Sequence, residues 1–133
     1  MTDVVALVRQ YGKDARAASR VLAAATSAQK NQALLKMADL LEAQQAEVLN
    51  ANAQDTAAAE ANGLDAAMVD RLRISAKSIA QMAEGVRQVA ALADPVGEMD
   101  DFKLLDNGLQ LGKMRAPLGV VGMIYESRPN VTI

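Results

Sequence analysis

Apolar residues in the first two thirds of the chain recur at every third or fourth position, the spacing that gathers side chains onto one face of an α-helix. The first stripe predicts one long amphipathic helix and comprises Leu7, Tyr11, Ala15, Ala18, Leu22 and Ala25. Thr26 or Ser27 can cap a second helix by accepting a backbone hydrogen bond. The predicted buried face of this second helix comprises Leu34, Ala38, Leu41 and Val48.

Asparagine and glycine mark the next predicted boundaries. Asn50 and Asn52 are expected to interrupt the second helix. An alanine-rich third helix over residues 55–61 is expected to end at Asn62 and Gly63, because glycine readily takes the left-handed conformation found at helix ends.

Two more helices are predicted before residue 94. Asp65 begins one that continues to Leu72, and Ser75 or Ser78 begins the next. The predicted core positions of the last helix are Ile79, Met82, Ala83, Val86, Val89 and Ala90. Gly85 lies within the same helix, where glycine is unfavourable, and it is interpreted as a point of close helix contact.

The pattern then changes from helical to extended. Residues 94–97, with the sequence Asp-Pro-Val-Gly, end the last helix, because proline lacks the amide hydrogen that a helix needs. Residues 102–105 and 109–114 are predicted to pair as a β-hairpin. Asn107 and Gly108 are expected to supply the two positive-φ positions of its tight turn.

The last apolar run, over residues 120–125, has the length and composition of a strand that is covered on both faces. Its partners are not expected within this sequence, because only eight residues follow Tyr125, and a crossover to a parallel strand needs a dozen or more. The chain is therefore interpreted as the front of a longer α/β protein.

Composition narrows the possible chemistry. The 133 residues contain neither cysteine nor histidine, which excludes disulfides, thiolate nucleophiles and imidazole metal sites, so no metal is expected. The formal net charge of −2 offers no polycation to nucleic acid. With neither a secretory signal nor an apolar run of membrane-spanning length, a soluble, cytoplasmic protein is expected.

Acidic residues are concentrated in one part of the chain. Residues 39–70 contain seven acids and no base, whereas residues 1–36 contain six bases and two acids. Two interpretations remain open. The acids either form the solvated face of a helix beside a complementary basic helix or provide an acidic docking surface.

A cluster of polar residues follows the last apolar run, at the end of the predicted strand where open α/β sheets bind ligands. Arg128 offers a planar fork for a carboxylate or a phosphate, and Asn130 offers a neutral N–H donor for a developing oxyanion. The alternative is a polar turn in which Asn130 caps a helix and Arg128 pairs with Glu126. Spacing alone does not separate these two interpretations.

Residues 115–132, with the sequence RAPLGVVGMIYESRPNVT, closely resemble the γ-glutamyl phosphate reductase family, which is also called glutamate-5-semialdehyde dehydrogenase. Residues 70–72 and 94–97 agree with this resemblance. It extends over the whole chain, which corresponds to about the first third of such an enzyme. The fold that it implies is the α/β fold of the aldehyde dehydrogenase superfamily.

The resemblance also implies a division of the chain into three parts. Residues 1–97 would be the helical N-terminal part of the cofactor-binding domain. Residues 98–116 would be a β-hairpin arm that joins subunits of a homo-oligomer. Residues 117–133 would be the first core strand and the active-site turn of an incomplete dinucleotide-binding domain.

The activity implied by the resemblance is the NADPH-dependent reduction of L-glutamyl 5-phosphate to L-glutamate 5-semialdehyde in proline biosynthesis. In that family, a cysteine forms a thioacyl intermediate, phosphate leaves, and hydride from NADPH then reduces the intermediate. The implied catalytic residue is Asn130, as the oxyanion donor. The implied cofactor ledge comprises Met123, Ile124 and Tyr125, and Ser127 and Arg128 are interpreted as substrate-binding residues.

Two departures from the family pattern bear on this hypothesis. The nucleophilic cysteine is absent from these 133 residues, so the chain alone is not expected to catalyse the reaction. The segment between Ile124 and Asn130 is also longer than its counterpart in ordinary aldehyde dehydrogenases. The alternative is a helical protein-interaction module without catalytic activity, although such a module should not end on an exposed apolar strand.

Overall fold

The structure is a computed structural model that describes residues 3–126 and 128–133. The elements of the described chain are α1 (Val4–Ala24), α2 (Ser27–Ala43), α3 (Gln45–Ala61), α4 (Ala66–Leu72), α5 (Ala76–Ala90), β1 (Met99–Leu104), β2 (Gln110–Met114) and a 3-10 turn (Pro129–Val131). The chain divides into two compact units. The first contains Met1–Ser27 and Ala93–Gly122, and the second contains Ala28–Leu92 and Met123–Ile133.

Helix α1 confirms the first predicted helix. Its N-terminus is capped by the Asp3 carboxylate, which accepts hydrogen bonds from the amides of Val5 at 3.0 Å and Ala6 at 3.2 Å. No residue of α1, which is described throughout, is buried. The predicted stripe is present in the helix, but its larger members, such as Tyr11 and Leu22, are exposed.

The predicted interruption at Asn50 and Asn52 is wrong. The break between α2 and α3 falls at Gln44, and α3 runs through both asparagines. Asn52 is buried, its side-chain amide donates to the Leu72 carbonyl at 2.9 Å, and its side-chain oxygen accepts from the Ile74 amide at 2.7 Å. These two tertiary hydrogen bonds satisfy the polar atoms of the buried Asn52 side chain.

The predicted boundaries of α4 and α5 are confirmed. Gly63, with φ of +77°, follows the end of α3, and the Asp65 side chain caps α4. Ser75 caps α5 in a reciprocal arrangement with Ser78. The Ser75 hydroxyl accepts from the Ser78 amide at 3.1 Å, and the Ser78 hydroxyl accepts from the Ser75 amide at 2.7 Å.

The core of the second unit is small and centres on α5. Four of the six predicted positions of α5 are buried, namely Ile79, Ala83, Val86 and Ala90. Ala38 of α2 is fully buried against Ala83 and Val86, with Leu34 and Leu41 packed at the edge. Val89 is 55% exposed, so its prediction as a core residue is wrong.

Arg87 joins α5 to the acidic face of α2. Its guanidinium donates to both carboxylate oxygens of Glu42, at 2.9 and 2.7 Å, and to Asp39 at 3.1 Å. Hydrogen bonding to Arg87 holds the pKa of Glu42 below its ordinary value and raises the pKa of Arg87 itself. Arg73 also approaches Glu60 at 3.5 Å, so three acids of the acidic run pair with arginines of the same unit.

The predicted hairpin is confirmed, but its turn differs from the prediction. Gly108, with φ of +84°, donates its amide to the Leu105 carbonyl at 2.8 Å, while Asn107 does not take a positive φ. Residues 106–108 therefore form a three-residue loop, in which a single left-handed glycine follows an ordinary turn. The expectation of two positive-φ positions is wrong.

A bulge gives the hairpin one apolar face. Asp100 pairs with Lys113 and Lys103 pairs with Leu111, so residues 101 and 102 together face Gly112. Asp101 is the bulged residue, with φ of +59°. The register brings four apolar side chains to one face, each at least 59% exposed, namely Met99, Phe102, Leu104 and Met114.

The apolar run over residues 120–125 belongs to no strand of the described chain. Val121 is 70% exposed and Ile124 is fully exposed. The prediction placed the partners of this strand outside the sequence, and an extended segment without a partner cannot form a hydrogen-bonded ladder. Separately, no helix of the described residues has the length and hydropathy that a membrane span requires.

Candidate functional site

The polar segment that follows the apolar run forms a closed loop in the second unit. The hydroxyl of Tyr125 is hydrogen-bonded to the hydroxyl of Thr132. Within the loop, the Val131 amide donates to the Arg128 carbonyl at 3.0 Å, and residues 129–131 form the 3-10 turn. Ser127, a predicted substrate-binding residue, lies outside the described residues.

Asn130 lies in the middle of the 3-10 turn and contributes to the wall of a cavity. It does not occupy the cap of an α-helix, as the alternative interpretation of this segment required. The ion pairs found in the described residues likewise do not join Arg128 to Glu126.

The cavity beside Asn130 has a volume of about 560 Å³ and is formed entirely within the second unit. Helix α5 forms much of its wall, and residues 71–74 form another part. The lining combines polar groups, namely Arg71, Arg73, Ser78, Gln81 and Asn130, with apolar groups, namely Leu34, Ile74, Met82, Val86, Val89 and Ile133, and with Gly85. Such a mixture of an apolar wall and a few polar groups is typical of small-molecule sites.

The structure thus brings Asn130 together with Arg71 and Gln81, which sequence reasoning did not include in the site. The sequence signal for Arg71 is the Asp-Arg-Leu sequence of residues 70–72, which also supports the family resemblance. Asn52 holds the adjoining segment in place through its bonds to Leu72 and Ile74. No group of three or more potential metal-ligating side chains occurs in the described part of the chain.

The predicted cofactor ledge is accessible. Met123 is 67% exposed, Ile124 is fully exposed and Tyr125 is 45% exposed. Arg128 is also exposed, immediately before the 3-10 turn. Apart from the Tyr125 hydroxyl, which contacts Thr132, these side chains present open apolar and cationic surface.

Comparison with known proteins bears directly on these predictions. No family model matches the chain. The chain is 54% identical over 127 residues to the γ-glutamyl phosphate reductase of Pectobacterium carotovorum, covering 96% of this chain and 30% of that protein. It is 51% identical over 132 residues to that of Psychrobacter cryohalolentis, covering 99% of this chain and 30% of that protein.

Solved structures give the same result. The γ-glutamyl phosphate reductase of Thermotoga maritima superimposes with a TM-score of 0.86 at 42% identity, over 90% of this chain and 29% of that one. That of Saccharomyces cerevisiae superimposes with a TM-score of 0.85 at 35% identity, over 92% of this chain and 31% of that one. The fold is therefore the corresponding part of an aldehyde dehydrogenase-like fold, which confirms the predicted fold class.

The sequence identities point to one particular kind of protein. By sequence and by fold, the chain matches a portion of γ-glutamyl phosphate reductase, as residues 115–132 indicated. It spans about 30% of the length of the curated relatives that it matches, consistent with the expected N-terminal portion.

Proposed function

We propose that this chain is part of an NADPH-dependent reductase of proline biosynthesis, which converts L-glutamyl 5-phosphate to L-glutamate 5-semialdehyde and releases phosphate. The observation that carries the proposal is identity above 50%, over nearly the whole chain, to proteins named γ-glutamyl phosphate reductase. The cavity beside Asn130 supports it, because it combines an apolar wall with amide and cationic groups.

In this proposal, Asn130 acts on the oxygen of the substrate's acyl carbon. Its side-chain amide is a neutral donor at the edge of a cavity, suited to stabilise negative charge that develops on that oxygen. Arg128 and Ser127 would contact the carboxylate or phosphate of the substrate. The nucleophilic cysteine of the family is not among the residues of this chain, so this chain supplies positioning and charge stabilisation.

The segment 123–125 would hold the dinucleotide. Its exposed, largely apolar side chains fit a ledge against which a flat, partly apolar group can lie. NADPH supplies the hydride when bound. The chain's own contribution would be to bind the cofactor and orient it toward the cavity.

The test is the reductase assay on the full-length protein that carries this sequence, followed as NADPH formation from the semialdehyde, phosphate and NADP⁺. Asn130→Ala should lower kcat by roughly 10² to 10³, because an oxyanion donor acts in the transition state. Asn50→Ala, which removes an exposed amide from α3, is the matched control. Absence of reductase activity in the wild-type protein would contradict the proposal, and a loss below about fivefold in Asn130→Ala would remove Asn130 from the catalytic role.

A further inference from the structure

The cavity beside Asn130 contains more positive charge than an apolar packing defect would need. Arg71 and Arg73 both contribute to its wall, on the side formed by residues 71–74. Its volume of about 560 Å³ lies within the range that proteins use for small molecules. An anion would therefore find in this cavity both enough space and guanidinium donors, which pair well with carboxylates and phosphates.

The polar groups of the wall are not equally available to a ligand. Arg73 already approaches Glu60 at 3.5 Å, and the Ser78 hydroxyl is committed to the cap of α5. Arg71, in the last turn of α4, is exposed and forms no ion pair with any residue of ranges 3–126 and 128–133. Arg71 is therefore the arginine more available to an incoming anion, because no existing ion pair has to be broken.

Gly85 supplies an independent observation about the same cavity. The sequence interpretation was that glycine permits close helix contact at this position, and that interpretation is wrong. Apart from its two chain neighbours and the backbone of its own helix, no described atom lies within 4 Å of the position that a Cβ would occupy, although glycine destabilises a helix interior relative to alanine. Gly85 instead lines the cavity, where a side chain would occupy part of its volume.

We propose that this cavity binds the anionic end of the substrate, with Arg71 as the anion-binding group and Gly85 as the residue that keeps the cavity open. The inference deepens the proposed function and rests on it. The shared chemistry is an oxyanion, either the α-carboxylate or the phosphate of the substrate. Arg71 binds the substrate, and Gly85 determines the length of substrate that the cavity accepts.

The first experiment replaces Arg71 in the full-length protein. Arg71→Gln should raise the KM of either the semialdehyde or phosphate about tenfold to hundredfold, because a charge-assisted hydrogen bond is lost. An increase confined to the semialdehyde assigns the carboxylate to Arg71, and an increase confined to phosphate assigns the phosphoryl group. Arg9→Gln, at an exposed arginine of α1, is the control. Unchanged KM values for both substrates would overturn the proposal.

The second experiment fills the cavity. Gly85→Leu should raise the KM of the semialdehyde about tenfold or more, and Gly85→Ala should raise it less, in the order of side-chain volume. Gly12→Leu is the matched control, since Gly12 is also a helical glycine with no described atom within 4 Å of its Cβ position apart from its chain neighbours and its own helix backbone. If Gly85→Leu fails to fold, Gly85→Ala retains the test. Equal KM values for wild type and a folded Gly85 variant would contradict the assignment.

Direct binding separates this inference from the proposed function. Calorimetry with L-glutamate and with inorganic phosphate, on wild type and on Arg71→Gln, does not depend on turnover. Anion binding that is lost in Arg71→Gln, in a protein without reductase activity, would support the cavity assignment and refute the proposed reaction. If the protein is an active reductase and Arg71→Gln still binds both anions, the proposed reaction is supported and the assignment of Arg71 as the anion-binding group is refuted.

Discussion

Helix α5 and the hairpin carry comparable proportions of apolar residues but use them differently. In α5, four side chains are buried, among them Ile79, which is completely inaccessible to solvent. In the hairpin, every residue of both strands is exposed, including Phe102 and Leu104. The helical unit therefore builds a core from its own residues, whereas the hairpin relies on backbone pairing and leaves its apolar face available. Apolar residues are accordingly buried in a core in the first region and exposed to solvent in the second.

The strongest test of this contrast is the removal of the most buried side chain. We expect Ile79→Ala to lower the free energy of unfolding by about 2–5 kcal/mol, because it removes buried methyl groups and leaves a cavity. Urea unfolding followed by circular dichroism measures the change. Val89→Ala, at a position that is 55% exposed on the same helix, should have a much smaller effect. Equal losses for the two variants would contradict the described core.

The second test concerns the buried polar contact of the helical unit. Asn52→Ala leaves the Ile74 amide and the Leu72 carbonyl without their partner, and we expect a loss of about 1–3 kcal/mol in the free energy of unfolding. Asn50→Ala, at an exposed position of the same helix, should be neutral or slightly stabilising, since alanine is the better helix former. A neutral Asn52→Ala would show that these two bonds do not stabilise the unit.

The third test uses pH. The pKa of Glu42 is lowered from its ordinary 4.5 by hydrogen bonding to Arg87. The ionised form is therefore favoured in the folded state, so its stabilisation is fully present above the ordinary pKa of 4.5 and is lost as the pH falls below 4.5 through the lowered pKa of the folded state. We expect Arg87→Gln to weaken the decrease in melting temperature between about pH 5 and about pH 3. Lys77→Gln, on the same helix, is the control. Identical pH profiles for the two variants would contradict the role of the Arg87 contacts.

The smallest effect is expected in the hairpin. Leu104→Ser should change the free energy of unfolding by no more than about 0.5 kcal/mol, because Leu104 is 73% exposed. If the hairpin is the oligomerisation arm that the family resemblance implies, the same substitution should shift full-length protein toward smaller species in light scattering. A large loss of stability in the isolated chain would mean that Leu104 packs within it. An unchanged oligomer would count against the arm.

The comparison also explains which features the sequence predicts. Helix boundaries at Asp65 and Ser75 depend on side chains that bond within three residues, and both were predicted correctly. Asn52 was misinterpreted because its partners lie 20 and 22 residues away, beyond the reach of local propensity. The turn was misjudged at Asn107 because the choice between two-residue and three-residue loops depends on strand register, which the bulge alters.

The candidate site likewise combines residues that local sequence identifies with residues that only tertiary packing brings together. Asn130 and Arg128 could be identified from a contiguous polar segment beside an apolar run, and Asn130 does line a cavity. Arg71 and Gly85 could not be placed with it, because they lie far from Asn130 in the sequence and are brought to it only by the packing of α4, α5 and the last residues. In isolation, an exposed arginine and a helical glycine give no sign of a shared cavity.

The bulge at Asp101 has one more consequence. The extra residue bends the outer edge of β1, which also carries the charged side chains of Asp100, Asp101 and Lys103. Bends and charges on an edge strand both discourage the pairing of strands from other molecules. Deletion of Asp101 would remove the bulge and straighten the edge of β1, while Met99 would still pair with Met114. We expect such a deletion to make the hairpin more prone to edge-to-edge aggregation, which thioflavin T fluorescence of the two proteins would measure.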